Sequence, residues 1–151
     1  MFRQILPVAA LASTLLVAPA LAEQPAFYPR DGGYPFSEAV QAGDILYISG
    51  IIPEAADGKV VTGGIEDQGR QVMAQLGQVL ARRDLGFDDV IQCTVYLADM
   101  KDWPGFNAVY RTSFKPGHYP ARAALGASGL ALGARVELQC NAWNPAKKQG
   151  H

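Results

Sequence analysis

The chain has 151 residues, 49% of them hydrophobic, with 13 basic side chains against 14 acidic ones and a net charge of −1. That length allows one domain with a sizeable core. A near-neutral balance without any basic run argues against a protein that works by gripping nucleic acid.

In chain order, Met1-Phe2-Arg3-Gln4 is a short positive start, and residues 5–17 are apolar apart from Pro7, Ser13 and Thr14. Ala20-Leu21-Ala22 then fits the small-x-small pattern of a cleavage site. Residues 1–22 therefore read as a secretory signal peptide, cut after Ala22, which sends the chain to the periplasm or outside the cell. No second apolar stretch approaches membrane-spanning length, so no membrane partner is expected after cleavage. Residues 23–33, rich in proline and glycine, read as an extended lead-in. Residues 34–145 form the expected domain, and residues 146–151 a tail.

Within the domain, Pro35 to Asp44 supplies a short strand and a turn. Ile45 to Gly50, β-branched and aromatic, is a buried strand. Lys59-Val60-Val61 reads as a short edge strand. From Ile65 the period changes: Val72, Leu76, Val79 and Leu80 predict an amphipathic helix that stops before Gly86. Val90 to Leu97 alternates polar and apolar, as a strand with two different faces does. Asp102 is the expected cap of a second helix, with Pro104 in its first turn and Phe106, Val109, Tyr110 and Phe114 at helical spacing. Two final strands, around Arg122 and from Arg135 to Ala142, are joined by a glycine-spaced turn.

The expected order is β-β-β-α-β-α-β-β, a mixed sheet with both helices on one face. The other face carries Gln92, Thr94, Tyr96, Glu137, Gln139 and Asn141. With Phe36, Tyr47 and Tyr96 adding aromatic area, packing against further copies around a symmetry axis is favoured over simple solvation. Cys93 and Cys140 lack metal-site spacing, and both face the apolar side of their strands. Two buried thiols are the simpler reading; a disulfide, which export permits, is the alternative. No metal or cofactor is expected.

Arg122 stands on an otherwise apolar strand, where an arginine needs an anionic partner. Two partners are open: Glu137 across a final hairpin, or the carboxylate of a ligand. Ser49-Gly50, Phe106-Asn107-Ala108-Val109-Tyr110, Pro120-Ala121-Arg122 and Val136-Glu137-Leu138, in this order between about Pro35 and Ala142, resemble the RidA (YjgF/YER057c) family of reactive-intermediate deaminases. The resemblance implies a chorismate-mutase-like α+β fold. It also implies a homotrimer whose sheets face inward as a barrel, with small-molecule clefts between subunits. The implied reaction is hydrolysis of a 2-imino or enamino acid to a 2-keto acid and ammonia, without a cofactor.

On that resemblance Arg122 holds the substrate carboxylate, while Ser49 and Asn107 orient the imine. The residue expected to ready the water falls at Gln139, an amide that accepts a hydrogen bond but cannot take a proton. Glu137, one strand repeat away on the same face, could serve as the base, but a structural role is the favoured reading of it. Phe36, Ile51 and Ala124 stand where tyrosine, glutamine and cysteine are usual. They make the pocket more apolar and suit a bulkier substrate. The alternative is a non-catalytic trimer that binds small carboxylates. An RNA-cleaving role, attributed to some relatives, is disfavoured by the charge balance.

Overall fold

The computed structural model describes residues 24–145; the expected signal peptide and the tail lie outside the described residues. The chain runs through β1 (Ala26–Pro29), β2 (Ser37–Ala42), β3 (Ile45–Ile48), α1 (Ile65–Ala81), β4 (Val90–Leu97), α2 (Trp103–Tyr110), β5 (Ala121–Gly126) and β6 (Val136–Trp143). The strands form one six-stranded sheet in the order β1-β2-β3-β6-β4-β5. This is the expected α+β architecture, reached with a partly different set of strands. Lys59–Val61 contributes only an isolated bridge between Val60 and Glu54. Glycines at 58, 63 and 64 leave that segment too short for a ladder. Instead the lead-in supplies β1, antiparallel to β2. Its prolines bracket an edge strand, where a missing N–H breaks no ladder.

Helix α1 begins after Gly64, whose N–H donates to the Asp67 carboxylate at 3.1 Å. Its buried stripe, Val72, Met73, Leu76, Val79 and Leu80, packs against Leu46, Ile48, Val95, Leu97, Val136 and Leu138 of the sheet. Gln68 is buried among these residues, and its Oε1 accepts the Arg135 N–H at 2.8 Å, tying α1 to the entrance of β6. A buried amide that finds a backbone partner costs little and fixes the helix axially.

Asp102 precedes α2 but does not cap it with its side chain. The carboxylate instead accepts a forked pair of bonds from Arg135, Nε at 2.9 Å and Nη2 at 2.6 Å. The charged fork outcompetes a neutral backbone N–H, and Pro104 already removes one donor from the first turn. The Asp102 hydrogen bond raises the Arg135 pKa above its ordinary value.

The last two strands do not form a hairpin. β6 lies between β3 and β4, antiparallel to both, and β5 runs parallel to β4 at the sheet edge. Composition accounts for this. Val136, Leu138, Cys140 and Ala142 are each at most 1% exposed, as a central strand requires, whereas β5 is alanine- and glycine-rich and open to solvent. A parallel neighbour needs a crossover connection, and α2 supplies it.

The same register decides the cysteines. Cys93 and Cys140 are direct cross-strand partners and form a disulfide, so the simpler expectation of free thiols does not hold. Alternation shows that two residues share a face; only the pairing shows that they share a rung. The bridge spans 47 residues of chain. A Cys93→Ala/Cys140→Ala variant should lose about 2–4 kcal/mol of stability in urea unfolding. A loss below about 1 kcal/mol would show that the cross-link contributes little beyond packing.

Candidate active site

Two groups of polar residues stand out, and β6 positions both. The first lies where β3 runs out. Tyr47 pairs with Asn141, and the next bridge joins Ile51 to Leu138. Ile48, Ser49 and Gly50 therefore face only Gln139 and Cys140, one residue too many on the β3 side. Such a bulge turns the backbone and re-aims side chains. Here it brings Gly50 against Glu137. A Cβ on Gly50 would lie 2.0 Å from Glu137 Oε1, so the carboxylate rests on bare backbone.

Ser49 is anchored in the bulge by its Oγ, which donates to the Ser37 carbonyl at 2.7 Å, and by its N–H, which donates to Glu38 O at 3.0 Å. Phe36, next to Ser37, is exposed, and its ring lies 5.3 Å from that of Tyr34. Ile51 is buried in the core, with both backbone groups bonded to Leu138 at 2.9 Å. On the α1 side of this segment, away from Glu137, lies a cleft of about 900 Å³ lined by Ser49, Gly50 and Ile51 together with Arg30, Gln71 and Gln75. Its arginines are neutralised locally, Arg30 by Glu54 and Arg82 and Arg83 by Glu38. Gln139 is exposed on the same sheet face as Glu137.

The second group lies at the β5 edge. Arg122 is the register partner of Cys93, so it belongs to the helix side of the sheet. Its guanidinium lies over the Tyr110 ring, 4.6 Å from the centroid. Among the described residues it has no carboxylate partner, and the Glu137 pairing open from the sequence is not made. β4 separates β5 from β6, and Glu137 points to the other face. One turn before Tyr110, Asn107 has a buried Oδ1 with no hydrogen-bond partner among the described residues. Beside it lies a hollow of about 480 Å³ bounded by Met100, Trp103, Pro104, Asn107 and Arg111.

Burial raises the Tyr110 pKa to about 12, against the opposing effect of the Arg122 charge. The phenol therefore stays neutral through the working range. Gly50 and Tyr110 carry more of the geometry than their sequence signals suggested. In the sequence Tyr110 reads as one more apolar position of a helix and as the last residue of the Phe106-Asn107-Ala108-Val109-Tyr110 motif, without a role of its own. Ala124 lies two residues from Arg122 on the same face of β5. Among the described residues no cluster of three or more His, Cys, Asp or Glu is arranged to hold a metal ion.

The model of the family described as "Endoribonuclease L-PSP" matches residues 31–144. The chain belongs to the RidA (YjgF/YER057c) family. Among relatives, the mouse protein named 2-iminobutanoate/2-iminopropanoate deaminase is 39% identical over 106 residues, covering 70% of this chain and 78% of its own length. The crystal structure of a Rid-family protein of Yersinia pestis, YyfA, itself of unknown function, superposes with a TM-score of 0.73 at 31% identity. The match covers 80% of this chain and 99% of that one. Yeast Mmf1 superposes with a TM-score of 0.71 at 33% identity, covering 78% and 93% of the two chains.

In this RidA-family chain the contact between Gly50 and Glu137 makes a direct prediction. Gly50→Ala should push the carboxylate out of the bulge and lower deaminase turnover by up to about a hundredfold. The melting temperature should stay within about 4 °C, since the displaced atoms are the free end of a side chain. Unchanged turnover would show that the Glu137 position is immaterial.

Proposed function

We propose that the protein is a deaminase that hydrolyses 2-imino or enamino acids to 2-keto acids and ammonia. The observation that carries this reading is the Glu137 carboxylate seated on Gly50, beside Ser49, in a backbone bulge. The named activity of the mouse relative supports it.

In the reaction, Arg122 grips the substrate carboxylate with its planar fork. Asn107, with a buried and unbonded amide oxygen, and Ser49 offer polar contacts to the imine nitrogen. Glu137 accepts a proton from water as the water oxygen bonds to the imine carbon. Glu137 passes that proton to nitrogen, then takes the proton of the new hydroxyl as the carbonyl forms and hands it to the departing nitrogen, so that the C–N bond breaks and ammonia leaves. Atoms balance with water as the only co-reactant. Gln139 takes no part in proton transfer on this scheme. The amide at 139 was the ground for a binding-only role, and Glu137 supplies what that amide lacks.

Arg122 and Glu137 lie on opposite faces of the sheet, two strand spacings apart (about 10 Å) and offset by three register positions along the strands (about 10 Å more). One chain therefore does not present both to one substrate, and the complete cleft is assigned to the junction of two subunits. The exposed apolar residues of the polar face support assembly: Phe27 is 68% exposed, Tyr47 and Leu125 48%, and Trp143 45%. A homotrimer with inward-facing sheets would cover them. On this reading residues 1–22 serve as a leader and the site of action lies outside the cytoplasm, a proposal with which a buried disulfide is compatible.

The test uses an amino-acid oxidase to generate the imine in the presence of semicarbazide. Glu137→Gln should lower kcat/KM by about a hundred- to ten-thousand-fold, and Gln139→Glu should change it by less than about threefold. Arg122→Ala should raise KM far more than it lowers kcat. If Glu137→Gln turns over like the parent, the proposed chemistry is wrong.

A further inference from the structure

We infer that Tyr110 is a positioning residue for Arg122: its ring face holds the guanidinium in place while leaving the N–H edge free for a substrate carboxylate. This rests on reading Arg122 as the carboxylate clamp and extends it to the device that aims the clamp.

A binding arginine has conflicting requirements. It must be held, because a free side chain samples many rotamers, yet it must not be held by a protein carboxylate, which would occupy the donors that the ligand needs. Five other arginines are held by carboxylates: Arg30 by Glu54, Arg70 by Glu66 and Asp67, Arg82 and Arg83 by Glu38, and Arg135 by Asp102; Arg30 and Arg83 lie over aromatic rings as well, but each keeps its carboxylate. Among the described residues Arg122 has no such partner, and it lies 4.6 Å from the centroid of the Tyr110 ring. A guanidinium over an aromatic face uses the π-cloud and leaves its in-plane donors unspent.

The platform itself is rigid. Tyr110 is 4% exposed, and its ring is packed by Phe114 at 4.7 Å and Phe106 at 5.8 Å between centroids. Its buried hydroxyl has no hydrogen-bond partner among the described residues. Burial also keeps the phenol protonated, so no phenolate forms at ordinary pH to capture the cation in place of the ligand.

The test separates ring electrostatics from ring shape. Tyr110→Phe, and variants with phenylalanines bearing one, two and three ring fluorines at position 110, keep the core filled while draining the negative face. In calorimetric titrations of the assembled full-length protein with 2-ketobutanoate, Tyr110→Phe should bind within about threefold of the parent. The fluorinated series should weaken step by step, by about 3- to 30-fold overall. Equal affinity across the series, with unchanged melting temperatures, would overturn the inference, because a purely structural ring is indifferent to its quadrupole.

Arg122→Ala, titrated in parallel, distinguishes the two levels of the claim. If it binds like the parent, the clamp reading fails and the Tyr110 inference fails with it. If it loses binding while the fluorinated series does not weaken, only the role of Tyr110 is wrong.

Discussion

Everything in this structure that bears on chemistry is fixed by the central position of β6. Its odd and even residues go to opposite faces, and it is bonded on both sides, so neither its register nor its facing can slip without burying Glu137 or exposing Val136 and Leu138. Toward β4 the pairing is regular around Cys140, which sets Cys140, Cys93 and Arg122 in one row across three strands on the helix side. Toward β3 the pairing carries an extra residue, which leaves Gly50 facing Glu137. A disulfide within the regular pairing and a bulge in the irregular one are complementary devices. The first holds the sheet where it must not move, and the second bends it where a straight strand would aim the wrong group.

Charge is handled in two ways. Most arginines are tied to carboxylates that join elements, as Arg135 to Asp102 joins the β6 entrance to the start of α2. Such partly exposed pairs add little stability, but they orient what they join. Arg30 and Arg83 combine a carboxylate with an aromatic face, whereas Arg122 has the Tyr110 face and, among the described residues, no carboxylate. On the proposed reading that cation is kept for a ligand, and Asn107 Oδ1, buried and without a hydrogen-bond partner among the described residues, belongs to the same site.

Much of this was legible in the residues because much of it is local. The stripe of Val72, Leu76, Val79 and Leu80 needs only helical geometry to be read, and the polar face of β4 and β6 needs only the alternation of a strand. What could not be read is what depends on partners distant in the chain. The final strands look like a hairpin until the burial of Val136 and Leu138 is set against the exposure of β5. Cys93 and Cys140 are visibly on one face, but their sharing a rung follows from strand order. Asp102 has the right neighbours for a cap, and loses that role to an arginine thirty-three residues on. Arg122, Ser49 and Asn107 were picked out through motif resemblance, whereas the seat of Glu137 on Gly50 emerges only with the bulge, because sequence shows no extra residue beside β6.

The placement of Arg122 and Glu137 on opposite faces has a consequence in genetic terms. On the proposed reading each cleft takes its cation from one chain and its carboxylate from another. A chain lacking the arginine and a chain lacking the glutamate are then each inactive alone. When the two are made together, some of the junctions unite an intact cation with an intact carboxylate. The unit that succeeds or fails is thus the junction rather than the polypeptide, and two different defects can complement one another where two copies of the same defect cannot.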